Sequence, residues 1–135
     1  MEEKEKQERI FHKAKPAHVE AERERLLGYN IYLERYVAKT FNKLKKQTFA
    51  IGLFSAEGIL VDLYPRDDKT LEELLGGDIQ VGDIWQDVGY NGVSQGLSIR
   101  RSCSSVGEEN ENPVLKKYAI YFSIMNMRGI YEPYV

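Results

Sequence analysis

The feature that most constrains the fold is a pair of apolar, β-favouring runs in the segment TFAIGLFSAEGILVDLYP. Only the four residues from Ser55 to Gly58 separate the runs, and such a short connection predicts a β-hairpin from about Phe49 to Tyr64. Pro65 and the charged residues after it end the second strand. Because the strands of a hairpin run antiparallel, this segment favours an antiparallel sheet over a doubly wound parallel one.

A long amphipathic helix is predicted ahead of the hairpin, over residues 19–47. Its apolar residues recur near the three-and-four spacing of one helical face. These residues are Leu26, Leu27, Ile31, Leu33, Val37, Phe41 and Leu44. Gly28 weakens the helix by about 1 kcal/mol relative to alanine, which leaves room for a bend. Residues 1–18 are rich in charge, and we interpret them as a lead-in, with Pro16 at or near the helix start.

Two short helices and further strands are predicted after the hairpin. In the segment KTLEELLGG, Thr70 is the expected N-cap and Gly76 the stop signal. A second short helix is expected from Gly92 to Leu97, and a strand around residues 99–102.

The segment KKYAIYFSIM is the strongest strand candidate, because its side chains alternate between two faces. One face carries Tyr118, Ile120, Phe122 and Ile124, and the other carries Ala119, Tyr121, Ser123 and Met125. Pro133 makes the final run, IYEPYV, an edge strand or an incomplete one. The order of elements predicts an α+β fold, with a central antiparallel sheet flanked by helices.

The composition argues against a membrane protein. Charged residues make up 30% of the 135 residues, and no apolar run approaches the roughly 20 residues that a spanning helix needs. The first residues contain no apolar stretch that could act as a signal peptide, and Cys103 is the only cysteine. We therefore expect a cytoplasmic location.

The charge distribution does not favour nucleic acid as a direct partner. Residues 1–47 carry 12 Lys and Arg against 8 Asp and Glu, whereas the remainder carries 7 against 13. Acidic residues are mixed into the basic run, as in EAERERLL, which lowers its attraction for phosphate. We interpret the run as a solvated helix face.

Side chains that could carry catalysis or bind a metal are few. His12 and His18 lie in the charged lead-in, and no histidine follows Cys103 to form a nucleophilic pair. The adjacent acidic pairs lack the alternating spacing of a calcium loop. They are Asp67–Asp68, Glu72–Glu73 and Glu108–Glu109. We therefore expect no enzyme activity, no metal site and no cofactor.

The segment GDIWQDVGYNGVSQGLS differs in composition from the rest of the chain. Asn91 and Gly92 suit a left-handed turn, and the Asn91 side chain can cap the helix that follows. Val93 and Leu97 then share one helical face. Trp85 is either a structural plug or a residue that stacks on a ligand. The tyrosines near the chain end either orient a small ligand or form the sheet core or a dimer surface.

Three segments together resemble the GAF-like sensor domain of bacterial, sigma-54-dependent enhancer-binding transcription activators of the acetoin-regulator type. The segments are GLFSAEGILVDL, LGGDIQVGDIWQDVGYNGVSQGL and VGEEN, and the resemblance covers about residues 26–135. The corresponding residues are Ser55, Gly58, Gly82, Trp85, Gly89, Asn91, Val93, Ser94, Gly96, Leu97, Gly107 and Glu109. Tyr90 and Asn110 stand where that family has threonine and histidine.

The resemblance implies a single GAF-like sensor domain over residues 19–135, with the sheet and pocket in residues 48–135. It implies a small-molecule ligand and, in the whole protein, an ATPase and a helix-turn-helix domain. The expected ligand-binding residues are Trp85, Tyr90, Asn91, Val93, Leu97, Glu109, Asn110, Tyr118, Tyr121 and Ser123. We expect a homodimer through the N-terminal helix. The alternative is a non-enzymatic protein-interaction or dimerisation module without a ligand.

Overall fold

The computed structural model describes residues 11–26, 30–44, 49–126 and 129–130, which form an α+β fold. The helices are α1 (Pro16–Arg25), α2 (Asn30–Lys43), α3 (Asp68–Leu75) and α4 (Gly92–Ile99). The strands are β1 (His12–Lys13), β2 (Ile51–Phe54), β3 (Leu60–Tyr64), β4 (Asp83–Ile84), β5 (Cys103–Val106), β6 (Ala119–Phe122), β7 (Met125–Asn126) and β8 (Gly129–Ile130). Two short 3-10 turns, Gly107–Glu109 and Leu115–Lys117, lie between β5 and β6.

The strands pair differently from the single central sheet that we expected. Within the described residues they form four two-stranded antiparallel ladders, in the pairs β1–β4, β2–β3, β5–β6 and β7–β8. A bridge between Ile59 and Ile84 links the first two ladders. The general α+β prediction is confirmed, whereas a central GAF-like sheet is not what these ladders show.

The β2–β3 hairpin matches the prediction and has an ordered turn. Ile51 pairs with Tyr64, and the register shifts between Leu53 and Phe54. The buried Ser55 hydroxyl accepts hydrogen bonds from the backbone N–H groups of Glu57, at 3.2 Å, and Ile59, at 3.3 Å. These two bonds hold the turn in one conformation.

The N-terminal helix is not the continuous helix that we predicted over residues 19–47. Helix α1 begins at Pro16 and ends at Arg25, and α2 begins at Asn30. The bend predicted at Gly28 lies outside the described residues. Pro16 opens α1 because a proline at the first helical position lacks only an N–H that would have no partner there.

The described part of the charged lead-in belongs to the folded domain. The lead-in side chain Phe11 is buried, and β1 pairs with β4 some 70 residues later, with His12 opposite Ile84. This pairing places Phe11 beside the ring of Trp85. Phe11 and β1 are therefore part of the packed structure, although they precede residue 18.

Two apolar clusters form the core of the described part of the chain. The first cluster, which joins α1 to the β2–β3 hairpin, consists of Val19, Leu53, Ile59 and Val61. The second cluster consists of Phe11, Trp85, Val93 and Leu115. Half-buried Phe54, Leu97, Tyr118, Ile120 and Phe122 pack against the second cluster. The second cluster therefore lies between α4 and the β5–β6 ladder.

The local predictions for the remaining elements hold in part. Helix α3 ends at the left-handed Gly76, as expected, but its N-cap is Asp67. The predicted N-cap, Thr70, instead donates a hydrogen bond to the Asp67 carboxylate. The strand expected around residues 99–102 begins only at Cys103, because Ile99 is the last residue of α4 and Arg100 ends that helix in a left-handed conformation.

Candidate functional site

The candidate site is centred on Trp85, which leads into the turn before α4. Its side chain is 4% exposed, and its ring stacks on Phe11 at 5.3 Å and meets the edge of Phe54 at 5.0 Å. Aromatic contacts of this kind each stabilise a fold by about 1 kcal/mol beyond area burial. Among the described residues, the indole Nε1–H of Trp85 has no hydrogen-bond partner.

Asn91 caps α4, and both polar groups of its side chain, Oδ1 and Nδ2, are hydrogen-bonded within the protein. Its Oδ1 accepts hydrogen bonds from the N–H groups of Val93, at 2.9 Å, and Ser94, at 3.0 Å. Its Nδ2 donates to the carbonyl oxygens of Trp85 and Gly89. The predicted cap is confirmed, and it leaves no Asn91 group for a ligand.

The left-handed turn predicted at Asn91 and Gly92 is wrong. Asn91 is extended, with φ of −160° and ψ of 162°, and Gly92 is the first residue of α4. The left-handed residue is Gly89, with φ of 87°. A side chain at Gly89 would collide with Glu111, whose carboxylate accepts a hydrogen bond from the Tyr90 N–H at 2.7 Å.

Asn110 belongs to a second buried polar group that connects α4 to β5. The Ser105 hydroxyl accepts a hydrogen bond from the Gly92 N–H at 2.7 Å and donates to Asn110 Oδ1 at 2.5 Å. The Asn110 amide donates to the carbonyl oxygens of Gly107 and Leu115. Because buried polar groups are costly unless paired, this network stabilises the packing of α4 on the strands.

The contact between α4 and the β5–β6 ladder leaves little free space. A Cβ atom added to Gly96 would lie 2.3 Å from a ring carbon of Phe122, and one added to Gly92 would lie 3.3 Å from Ser105. Glycines therefore let the helix backbone approach the strands closely. At Gly92 and Gly96, α4 is therefore in close contact with the β5–β6 ladder.

The structure brings together only some of the predicted ligand-binding residues. Trp85, Val93, Leu97 and Tyr118 share the second cluster, and Asn91 lies directly beside them. Tyr90 and Glu109 are exposed at the surface. The Glu109 carboxylate accepts a hydrogen bond from the Val106 N–H at 2.7 Å.

Tyr121 lies on the opposite side of β6 from the second cluster, and Ser123, which follows β6, is exposed. Strand β6 alternates as predicted, but its half-buried face carries Ile120 and Phe122, and the Tyr121 side chain is 76% exposed. Tyr118, which directly precedes β6, packs against the second cluster together with Ile120 and Phe122, whereas Tyr121 faces the other way. Ligand binding by Tyr121 and Ser123 stays a prediction, and both side chains are exposed instead of packing in the second cluster.

Tyr118 has an altered acid–base environment. Burial raises the pKa of its phenol, and the negative charge of Asp78 raises that pKa further. The hydroxyl lies 3.4 Å from an Asp78 oxygen, which also pairs with Lys117 at 3.0 Å. A phenol in this environment stays protonated at neutral pH and can donate a hydrogen bond.

Two residues central to the site were missed by sequence reasoning. Phe11 follows an isoleucine within an otherwise charged segment, and this apolar pair was the available signal. Ser105 occupies the buried position of the alternating strand CSSV, but alternation alone does not say which face of a strand is buried.

Comparisons with known proteins give information about the fold of this chain and not about an activity. No protein-family model matches the chain, and no curated protein matches it. The fold is similar to that of a chain in the crystal structure of the E. coli DhaR(N)–DhaL complex, with a TM-score of 0.68 and 12% identity. The match covers 82% of this chain and 38% of that chain. In the described residues, no helix is long and apolar enough to span a membrane.

Proposed function

We propose that this chain is a non-enzymatic regulatory domain of a bacterial transcription-regulatory protein, and that it acts in the cytoplasm by binding a partner protein. The GAF-like resemblance of the segment around Trp85 supports a regulatory role. Asn91 and Asn110 are fully engaged with the protein itself, which favours a structural role for that segment. These hydrogen bonds fit a domain that binds its partner through a preformed surface better than one that binds a ligand in a pocket.

The observation that carries the proposal is the outward face of the β5–β6 ladder. Ser104 pairs with Tyr121 and Val106 pairs with Ala119, and all four side chains are exposed and uncharged. An exposed tyrosine in an uncharged patch is typical of the residues that dominate protein–protein binding energy. We call these four residues the outer strand face.

The similarity to a chain from a two-protein complex is in keeping with a protein partner for this domain. The matched region spans 38% of that chain, so any function of a larger protein remains part of the proposal. Two described residues of the predicted dimer stripe are used within the chain, since Val37 is buried and Phe41 stacks on Phe49 at 4.5 Å. These contacts favour a different protein over a second copy as the partner.

Site-specific photo-crosslinking in the native host tests this proposal. A benzoylphenylalanine at position 121 should give one discrete adduct with another protein. The same probe at position 90 is the control, because Tyr90 is also exposed but lies outside the outer strand face. Identical adducts from both positions, no adduct at all, or an adduct of two copies of this chain would contradict the proposal.

A second candidate function is small-molecule sensing, which the buried Nε1–H of Trp85 favours. A buried donor without a partner costs about 1–3 kcal/mol, and a ligand oxygen that accepted its hydrogen bond would recover that free energy. A thermal-shift screen of small hydroxylated, aromatic and organic-acid metabolites tests it. A genuine ligand should raise the melting temperature of the wild type more than that of Trp85→Phe. If no compound stabilises the protein, sensing at Trp85 is excluded for these ligand classes.

A further inference from the structure

We propose that His18, Glu22 and Glu57 form a binding site for a divalent transition-metal ion such as Zn²⁺, which would join α1 to the turn of the β2–β3 hairpin. One imidazole nitrogen and two carboxylate oxygens from these residues all lie within 4.8 Å of one another. The proposed site is separate from the segment around Trp85 and from the outer strand face.

The distances between the donor atoms are close to those that a shared ion requires. His18 Nε2 lies 2.8 Å from Glu57 Oε1 and 3.9 Å from Glu22 Oε2. Ligand atoms bound about 2.0–2.2 Å from one tetrahedral zinc ion are roughly 3.3–3.6 Å apart. Side-chain adjustments of about 1 Å or less would therefore bring all three atoms into coordination.

Helix α1 holds two of the ligands on one face. His18 and Glu22 are four residues apart, which places them on successive turns of the same side of the helix. The rotation of α1 is set by Val19, which is buried in the first cluster. Arg23 adds a second constraint, because its Nε and Nη2 atoms donate to the Val61 carbonyl oxygen at 3.2 and 2.9 Å.

The third ligand comes from the hairpin turn that the Ser55 hydroxyl stabilises. Glu57 lies within this turn, and its own backbone N–H donates to that hydroxyl at 3.2 Å. Both sides of the proposed site are thus built on ordered backbone, which lowers the entropy cost of binding an ion.

The mixture of donors indicates which ions are suitable. An imidazole together with carboxylates suits zinc, nickel or copper, whereas magnesium and calcium prefer oxygen ligands alone. Three protein ligands leave at least one coordination position for water. The Glu22 carboxylate also pairs with the exposed Arg25 at 3.1 Å, a surface contact that a metal ion can readily replace.

An ion at this position would connect the N-terminal helix to the hairpin. Binding would favour the conformation in which α1 lies on β2–β3, because only that conformation brings the ligands together. The inference goes beyond the proposed partner binding, and it stands or fails independently of the outer strand face.

Zinc titration of the full chain without an affinity tag, followed by calorimetry, tests the proposal. We expect one equivalent of Zn²⁺ to bind and to raise the melting temperature. His18→Ala and Glu57→Gln should each weaken binding at least tenfold, since each removes one of three ligands. Mg²⁺ at the same concentration should give no shift.

The matched control is His12→Ala. His12 is also an exposed histidine paired with a carboxylate, Asp87, at 3.0 Å, but it is not part of a described three-ligand group. Its substitution should leave zinc affinity unchanged. Melting curves in EDTA will show whether each variant is folded, and the two variants of the proposed ligands lie on different elements.

Cobalt provides a spectroscopic readout of the same ligands. Co²⁺ bound by His18 should give a visible absorption spectrum that the His18→Ala variant lacks. The proposal is overturned if the wild type binds no zinc at millimolar concentration. It is overturned equally if His18→Ala and Glu57→Gln bind zinc as tightly as the wild type, or if His12→Ala weakens binding as much as they do.

Discussion

Two parts of the molecule share one arrangement, a helix on two antiparallel strands, but use different interactions to maintain it. In the α1 unit, α1 lies on the β2–β3 hairpin through the first apolar cluster, with charged side chains at its edge. In the α4 unit, α4 lies on the β5–β6 ladder through glycine contacts and neutral buried hydrogen bonds. The two units therefore differ in how they respond to mutation and to solvent.

The difference shows which unit should respond to solution conditions. Charged groups at the edge of the α1 unit remain in contact with water, so salt, pH or a bound ion can change their contribution. The α4 unit depends on close backbone approach and on polar groups that already have partners. Substitution inside the α4 unit should consequently cost more and depend less on solution conditions.

The largest effect is expected for Gly96→Val in the α4 unit. A Cβ atom at this position would lie 2.3 Å from a ring carbon of Phe122 and 2.8 Å from the backbone oxygen of Arg101. The helix would have to move away from the strands, at a cost of about 3 kcal/mol in the free energy of unfolding. Urea denaturation followed by circular dichroism measures this loss.

Gly92→Ala is the control for Gly96→Val. The nearest atoms to a new Cβ at Gly92 belong to Ser105 and lie 3.3 Å away. The higher helix propensity of alanine offsets part of the strain, so the change should stay within about 1 kcal/mol. If the two variants lose equal stability, close packing of α4 on the strands is not what makes the α4 unit sensitive to substitution.

The next largest effect is expected for Asn91→Ala. The substitution removes the acceptor for the Val93 and Ser94 N–H groups and leaves the carbonyl oxygens of Trp85 and Gly89 without their amide donor. Loss of a cap and of buried hydrogen bonds should cost about 2–3 kcal/mol. Because the groups are neutral, this loss should be the same at low and high salt. A loss that becomes much smaller at high salt would contradict the claim that neutral hydrogen bonds stabilise the α4 unit.

The sequence predicts the fold where the determining pattern is local. The β2–β3 hairpin follows from two β-favouring runs and a four-residue connection, and the Asn91 cap follows from its position before a helical segment. The pairing of β1 with β4 joins residues about 70 positions apart, and nothing near Phe11 specifies that partner. The division of the strands into separate ladders depends on the same long-range contacts.

The candidate site is harder to predict because alternation identifies two faces of a strand without saying which is buried. Tyr118 and Tyr121 are both suitable for a ligand by residue type, yet only Tyr118 faces the second cluster. The role of Ser105 depends on Gly92 and Asn110, which reach it from different segments. Such networks become visible only when the contacts across the chain are known.

In the α1 unit, Arg23→Met should have a smaller effect than Gly96→Val or Asn91→Ala in the α4 unit. Methionine keeps much of the apolar stem but removes both hydrogen bonds to the Val61 carbonyl oxygen. Since Arg23 is partly exposed, we expect a loss of about 1 kcal/mol. Arg25→Met is the matched control, because within the described residues Arg25 pairs only with Glu22, on the surface, and its loss should cost less than about 0.5 kcal/mol. Equal losses would mean that Arg23 does not anchor the helix.

The smallest effect on stability is expected at alkaline pH, from two tyrosines, one in each unit. Burial and Asp78 raise the pKa of Tyr118, while at Tyr64 burial and Asp62 raise the pKa and Arg66 partly opposes them. An unfolded tyrosine ionises near pH 10, so these groups stabilise the fold below that pH and lose this contribution as the pH rises through their higher folded-state pKa. Tyr118→Phe should therefore reduce the alkaline loss of stability.

Replacing Asp78 distinguishes the causes of the Tyr118 shift. Asp78→Asn removes the negative charge but leaves the phenol buried, so the Tyr118 pKa should fall only part of the way to its ordinary value. The titration can be followed by phenolate absorbance in the presence and absence of the Tyr118→Phe substitution. No change in Asp78→Asn would mean that burial alone sets the pKa of Tyr118. In that case the phenol responds to solvent exclusion, as the neutral interior of the α4 unit implies, and charge matters mainly in the α1 unit.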